Sequence, residues 1–173
     1  MKSGFRGAAG WPKTFATEMN PPTVYDKAKY HSESVETEGL PEGQEFVHTG
    51  FYLGWLIENG LLDPEFVEDF LVDEIAAFKE RKLTGPEIYF RCDGALVDDM
   101  LSDEGNAFSQ HYFDFQKGQF VGDYQQAFSV SGGNDFFGVE DTWENYDKIK
   151  EFIDRGFSKW KRSRDKKPWQ FWK

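Results

Sequence analysis

Cysteine is almost absent from this chain. Cys92 stands alone among 173 residues, so no disulfide can form within the chain, and a reducing, cytoplasmic location is expected. Long apolar runs are missing too. The longest, Phe51 to Ile57, is interrupted by Gly54 and falls far short of the roughly 20 residues a membrane-spanning helix needs, so no membrane span is expected. Met1 to Pro22 carries Lys2 and Arg6 without the apolar stretch of a secretory signal. Positive charge is scarce over most of the chain. Of 20 Lys and Arg against 31 Asp and Glu, residues 159–173 hold seven bases and one acid, which leaves 13 bases and 30 acids, a formal charge of −17, in residues 1–158. Such a body repels nucleic acid and anionic membranes and attracts basic partners. Phosphate-cradling glycine runs are also lacking: Gly132 and Gly133 read as a turn, with neither G-x-G-x-x-G nor a following Lys-Ser/Thr pair, so nucleotide binding has no support.

What the chain does have is rings. Aromatic residues make up 18% of it, enough large apolar side chains to offset the entropy lost in ordering one domain of this length. Residues 1–24, rich in Gly, Pro and Thr and without a period, read as a flexible N-terminal arm, and residues 25–43 as a loop with at most one helical turn. From Gln44 to Asn59 the apolar positions wrap around a helix, which is therefore expected to be central, and Gly60 follows as its C′ residue. Asp63 caps a second helix with Pro64 at its first position, and Phe66, Val67, Phe70, Leu71, Ile75 and Phe78 recur at three and four. Thr84 and Glu87 make a capping box for a short helix. Ser102 caps another, with Phe108, Tyr112 and Phe115 on one stripe. Residues 118–140 leave room for a small β-hairpin around Ser131 to Asp135. Thr142 to about Lys161 carries Trp143, Tyr146, Ile149, Ile153, Phe157 and Trp160 on one helical face. The expected fold is mainly α, a single-domain helical bundle over residues 25–161, followed by a basic aromatic tail at 162–173.

No catalytic motif stands out. His31, His48 and His111 lie far apart, none with a ligand at the helical spacing of a metal site, although tertiary folding could gather them; the ordinary reading of His48, near the start of a buried helix, is a bonded core histidine, with metal ligand and general base as the alternatives. Cys92 reads as a structural thiol. Asp98, Asp99, Asp103 and Glu104 lack the D-x-D-x-D-G spacing of a calcium loop and read as a solvated capping cluster. The sequence therefore assigns no catalytic residue, no metal and no cofactor. The tail interleaves bases with Trp160, Trp169, Phe171 and Trp172, a chemistry that suits docking on the chain's own acidic body ahead of binding to a partner, nucleic acid or lipid.

The segment His48-Thr-Gly50-Phe-Tyr-Leu53-Gly-Trp55, followed by Gly60-Leu61, resembles the signature helix of an uncharacterised bacterial domain family. Its order is kept upstream by Asp26, Ala28 and His31, and downstream by Cys92-Asp93-Gly94, His111-Tyr112-Phe113, Asp123-Tyr124 and Val139-Glu-Asp141-Thr142-Trp143-Glu-Asn145-Tyr146. The resemblance covers about residues 25–161 and departs at Tyr30 and Tyr52, where the family has Trp and Phe. The family it resembles has no assigned activity. Small acidic proteins of this sort are often encoded beside polymorphic toxins as cognate immunity proteins.

Charge and resemblance together lead to one expectation: a non-enzymatic, immunity-type binding protein that neutralises a cognate toxin with a basic surface, such as a nuclease, by occluding it. Its partner-binding residues are expected at Glu65, Glu68, Asp69 and Asp73 on the outer face of the second helix and at Asp98, Asp99, Asp103 and Glu104. Two alternatives come from other classes. One is a small hydrolase using His48 or His111 with Asp93 or Asp141; the other is an adaptor whose basic tail does the binding.

Overall fold

The computed structural model describes residues 21–132 and 134–165. The fold is mainly α, with one small two-stranded antiparallel sheet. Strand β1 (Val24–Lys27) pairs with β2 (Ala95–Val97), with Asp26 opposite Leu96 and an irregularity between Val24 and Asp26. A 3₁₀ turn, Ala28–Tyr30, then leads into α1 (Ser32–Thr37). Residues 25–43 are thus more ordered than their polar composition suggests, and Val24 belongs to the sheet rather than to an arm. Positions 1–20 of the expected arm and 166–173 of the expected tail lie outside the described residues.

Helix α2 (Val47–Glu58) is the central element, with every residue from Val47 to Ile57 buried. It ends as the sequence predicts: Gly60 turns at φ 64°, its amide donates to Ile57 O, and the Leu61 amide donates to Leu56 O, the paired bonds of a Schellman cap. The second predicted helix is interrupted. The Asp63 carboxylate accepts the Glu65 and Phe66 amides and starts α3 (Pro64–Phe70), but Leu71 leaves helical geometry at φ −131° and the chain restarts as α4 (Val72–Lys79). Leu71 is buried while Phe70 and Val72 face solvent, so the break turns one apolar anchor inward and leaves its neighbours outside.

The Thr84–Glu87 capping box is present and opens α5 (Gly85–Arg91). Helices α2 and α5 touch backbone to backbone. A Cβ on Gly50 would overlap Pro86 Cα, and one on Gly85 would overlap the Gly50 carbonyl, so only glycine at both positions permits this approach. Ser102 caps α6 (Asp103–Tyr112) through the Gly105 amide. That helix stops before Phe115, which sits in the following loop instead of sharing the stripe of Phe108 and Tyr112.

Residues 118–140 contain α7 (Phe120–Phe128) and the short α8 (Asn134–Phe137) rather than a hairpin. Phe120, Asp123 and Tyr124 are the buried positions of α7, a helical spacing of three and four that overrides the β-propensity of the Val and Phe residues around it. Helix α9 (Trp143–Asp165) buries Tyr146, Ile149, Ile153 and Trp160 of the predicted stripe, with Trp143 and Phe157 half-buried at its edges. Near its end Lys161 pairs with Glu104 at 2.9 Å, and Arg164 lies over the Trp160 ring one turn earlier on the same helix.

The core joining these helices is aromatic. Tyr52 stacks on Phe113 with ring centroids 4.3 Å apart. Two of its buried polar tips are bonded, Trp55 Nε1 to Asp154 Oδ1 at 2.7 Å and Tyr112 Oη to Asp123 Oδ2 at 2.7 Å, so these two rings contribute apolar burial without stranding a donor, whereas the Tyr124 and Tyr146 hydroxyls are buried without a partner.

Candidate functional site

Three elements converge on one buried carboxylate. Strand β1 points Asp26 inward, 4% exposed, between half-buried neighbours, and the irregular pairing just before it suits the way bulges re-aim a strand residue. The turn after β1 brings His31 back, so that His31 Nε2 lies 2.8 Å from Asp26 Oδ1. The first turn of α2 supplies Thr49, whose hydroxyl donates to Asp26 Oδ2 at 2.6 Å, and His48, whose Nε2 lies 3.6 Å from the same oxygen. Helix α5, held against α2 by the Gly50–Gly85 approach, adds the Tyr89 hydroxyl at 3.3 Å.

Burial would raise the Asp26 pKa, but the His31 hydrogen bond, the neighbouring His48 imidazole and the Thr49 hydrogen bond together outweigh it and hold the group below the ordinary carboxylate value. His48 moves down for the opposite balance. Complete burial, stronger than the pull of the adjacent carboxylate, lowers it to about 3, so its ring is neutral at pH 7. Neither ring nitrogen of His48 has a hydrogen-bond partner, and 3.6 Å to Asp26 is too long for one. The ring is enclosed by other rings: His31 edge-on at 4.7 Å, Phe136 at 5.3 Å, Phe137 at 5.7 Å and Phe115 at 5.8 Å. His31, its side chain 19% exposed, forms the outer side of the cluster. The arrangement therefore holds a fixed anion, one bonded imidazole and one unbonded neutral imidazole.

His48 is thus buried, as its place on the central helix suggests, but it is not a bonded core histidine. Its carboxylate neighbour is Asp26, neither Asp93 nor Asp141. Asp93 is exposed, and His111 is exposed at the end of α6. Asp141 accepts the Thr84 hydroxyl at 2.6 Å and is raised by burial. Cys92 is half-buried, and burial with Glu74 and Asp93 nearby pushes its thiol up to about 11, the opposite of an activated nucleophile. Sequence spacing could not reveal the cluster, because Asp26 precedes His31 by a strand-to-turn step and His48 arrives on a separate helix. The available signal was that Asp26, His31 and His48 all belong to the segments carrying the family resemblance.

The expected partner-binding carboxylates fall into two groups. Glu65, Glu68 and Asp69 on α3 and Asp73 on α4 are exposed, and Phe70 and Val72 between them are 66% and 57% exposed. The second group is more engaged. Asp98 accepts the Thr23 and Asp99 amides and Glu104 pairs with Lys161, while Asp99 and Asp103 are exposed. A further acidic surface, with no counterpart in the sequence pattern, is a groove of about 680 Å³ lined by Glu42, Glu45, Glu87 and Asp141, with Phe46 and Phe90 among its apolar walls and Arg91 at its side. Phe90 is 64% exposed.

Residues 24–136, more than half of the chain, match DUF7832, a domain of unknown function. No curated protein and no solved structure matches the chain. Among the described residues no helix is long and apolar enough to cross a membrane.

Proposed function

We propose that this chain, which belongs to the DUF7832 family, is a non-enzymatic binding protein that occludes a basic protein partner, and that this partner is a cognate bacterial toxin domain such as a nuclease. One observation carries the reading. Large apolar side chains lie open among carboxylates at the α3–α4 junction, where Phe70 and Val72 are flanked by Glu65, Glu68, Asp69 and Asp73. Exposed rings inside a charged field have the composition of an interface: the ring supplies the desolvated anchor, and the carboxylates supply steering and register. The groove around Phe90 repeats the pattern with Glu42, Glu45 and Glu87. A toxin that acts on nucleic acid needs a cationic active-site surface, and a body of charge −17 complements it.

The Asp98–Glu104 group has a smaller part in this reading, because Asp98 and Glu104 already satisfy internal partners. The experiment is co-purification of the tagged full chain with the product of the adjacent gene, compared with a Phe70→Ala variant. Capture by the wild type that is lost in the variant supports the reading. Absence of a complex between the two purified proteins at low salt would overturn it.

A further inference from the structure

We propose that Asp26, His31 and His48 form a binding site for one divalent transition-metal ion of the zinc class. Their donor atoms all lie within 4.8 Å of one another. Around a shared zinc ion, with bonds of about 2.0–2.2 Å, donors sit roughly 3–3.5 Å apart; His31 Nε2 to Asp26 Oδ1 at 2.8 Å and His48 Nε2 to Asp26 Oδ2 at 3.6 Å lie on either side of that range, so an ion would take the place of the His31–Asp26 hydrogen bond and draw His48 in. Closing the set requires only small side-chain shifts from donors already within 4.8 Å of one another.

The unbonded ring of His48 points to a ligand. A buried ion pair between Asp26 and His31 would explain those two residues and nothing more. It leaves a second imidazole, 1% exposed, aimed at the same carboxylate with both nitrogens unsatisfied, an arrangement that costs desolvation free energy with nothing in return. A cation between the three donors would use one of those nitrogens. Burial keeps this ring neutral, the protonation state that ligation requires.

The surroundings fit as well. Thr49 and Tyr89 hold Asp26 Oδ2 by hydrogen bonds of 2.6 and 3.3 Å, the outer-shell support by which metal-bound carboxylates are usually oriented. The donor set selects the ion class. Two imidazoles with one carboxylate match zinc, iron(II) or nickel, whereas calcium and magnesium take oxygen donors. This site rests on different residues from the acidic face, so either can fail without the other.

The test uses the full chain stripped with EDTA and titrated with zinc chloride by calorimetry, with bound metal counted after desalting. One zinc per chain is expected. His31→Gln alters the most exposed ligand and is expected to weaken binding by more than the roughly 10–100-fold that loss of an outer-shell partner costs, while Thr49→Val, a positioning change, falls within that range. Cobalt(II) loading of the wild type is expected to give the intense visible bands of a low-symmetry site with nitrogen donors, absent from His31→Gln. The cobalt comparison uses only the wild type and His31→Gln, a change at a partly exposed side chain, and circular dichroism checks that the buried Thr49→Val and Asp26→Asn variants fold before their affinities are compared. No stoichiometric zinc uptake by the wild type, or wild-type affinity retained in His31→Gln or in a folded Asp26→Asn, would overturn the proposal.

Discussion

Acidification should destabilise the metal-free protein through His48, in a pH range where few other groups titrate. The folded-state pKa of about 3 lies well below the ordinary 6.5. Between those values the unfolded chain binds a proton here that the folded chain does not, so stability rises with pH across the window and is lost as pH falls below about 6.5. Each unit costs about 1.4 kcal/mol once the unfolded imidazole is mostly protonated, which amounts to roughly 2 kcal/mol between pH 7 and pH 5. Asp26 has the same sign in a lower window. Its folded pKa is depressed below 3.8, so its stabilising contribution is intact above that value and disappears only as pH falls further. Urea unfolding followed by tryptophan fluorescence, with EDTA present, measures the wild type and His48→Leu at pH 7, 6 and 5. The wild type should lose about 2 kcal/mol across the series and the variant markedly less. At pH 7 the variant should be no less stable, because it removes buried nitrogens whose missing bonds cost about 1–3 kcal/mol per unsatisfied group. Parallel pH dependence in the two proteins would refute the reasoning.

Other consequences follow from packing and thiol chemistry. Gly50→Ala places a methyl group against the Pro86 backbone, where neither helix can yield without separating α2 from α5; a loss of about 1–3 kcal/mol or more in urea unfolding is expected, and a neutral result would show the contact to be looser than described. Cys92, pushed up to about 11, should react with a disulfide reagent far more slowly at pH 8 than a free thiol, with the rate still climbing beyond pH 9; a plateau near pH 8 would contradict its environment.

Much of the helical frame was legible because its signals are local. Asp63 with Pro64, the Thr84–Glu87 box, Ser102 and Gly60 act within one turn of themselves, and all of them cap the helices assigned to them. The stripe on α9 is legible for the same reason, since its period repeats over many residues. Long-range pairing left no such mark. Strands β1 and β2 are separated by residues 28–94 and are too short to alternate visibly, while the Val and Phe residues of α7 look strand-like until Phe120, Asp123 and Tyr124 are seen buried together. The break at Leu71 was hidden because both halves keep an apolar helical pattern. At the Asp26 cluster the residues were visible but not their meeting, which depends on a turn after β1 and on the α2–α5 contact. The acidic α3–α4 face was legible as charge; the exposure of Phe70 and Val72 within it required the structure.

The proposed role is tested most directly by growth during co-expression with the toxic domain of the adjacent gene. The wild-type chain should restore growth, and a variant carrying Glu65→Lys, Glu68→Lys, Asp69→Lys and Phe70→Ala should fail to do so while reaching the same folded level by circular dichroism. The changed carboxylates are exposed and Phe70 is 66% exposed, so the fold is expected to tolerate the set. Growth inhibition that persists with the wild-type chain, or full rescue by the variant, would contradict a neutralising role for this surface.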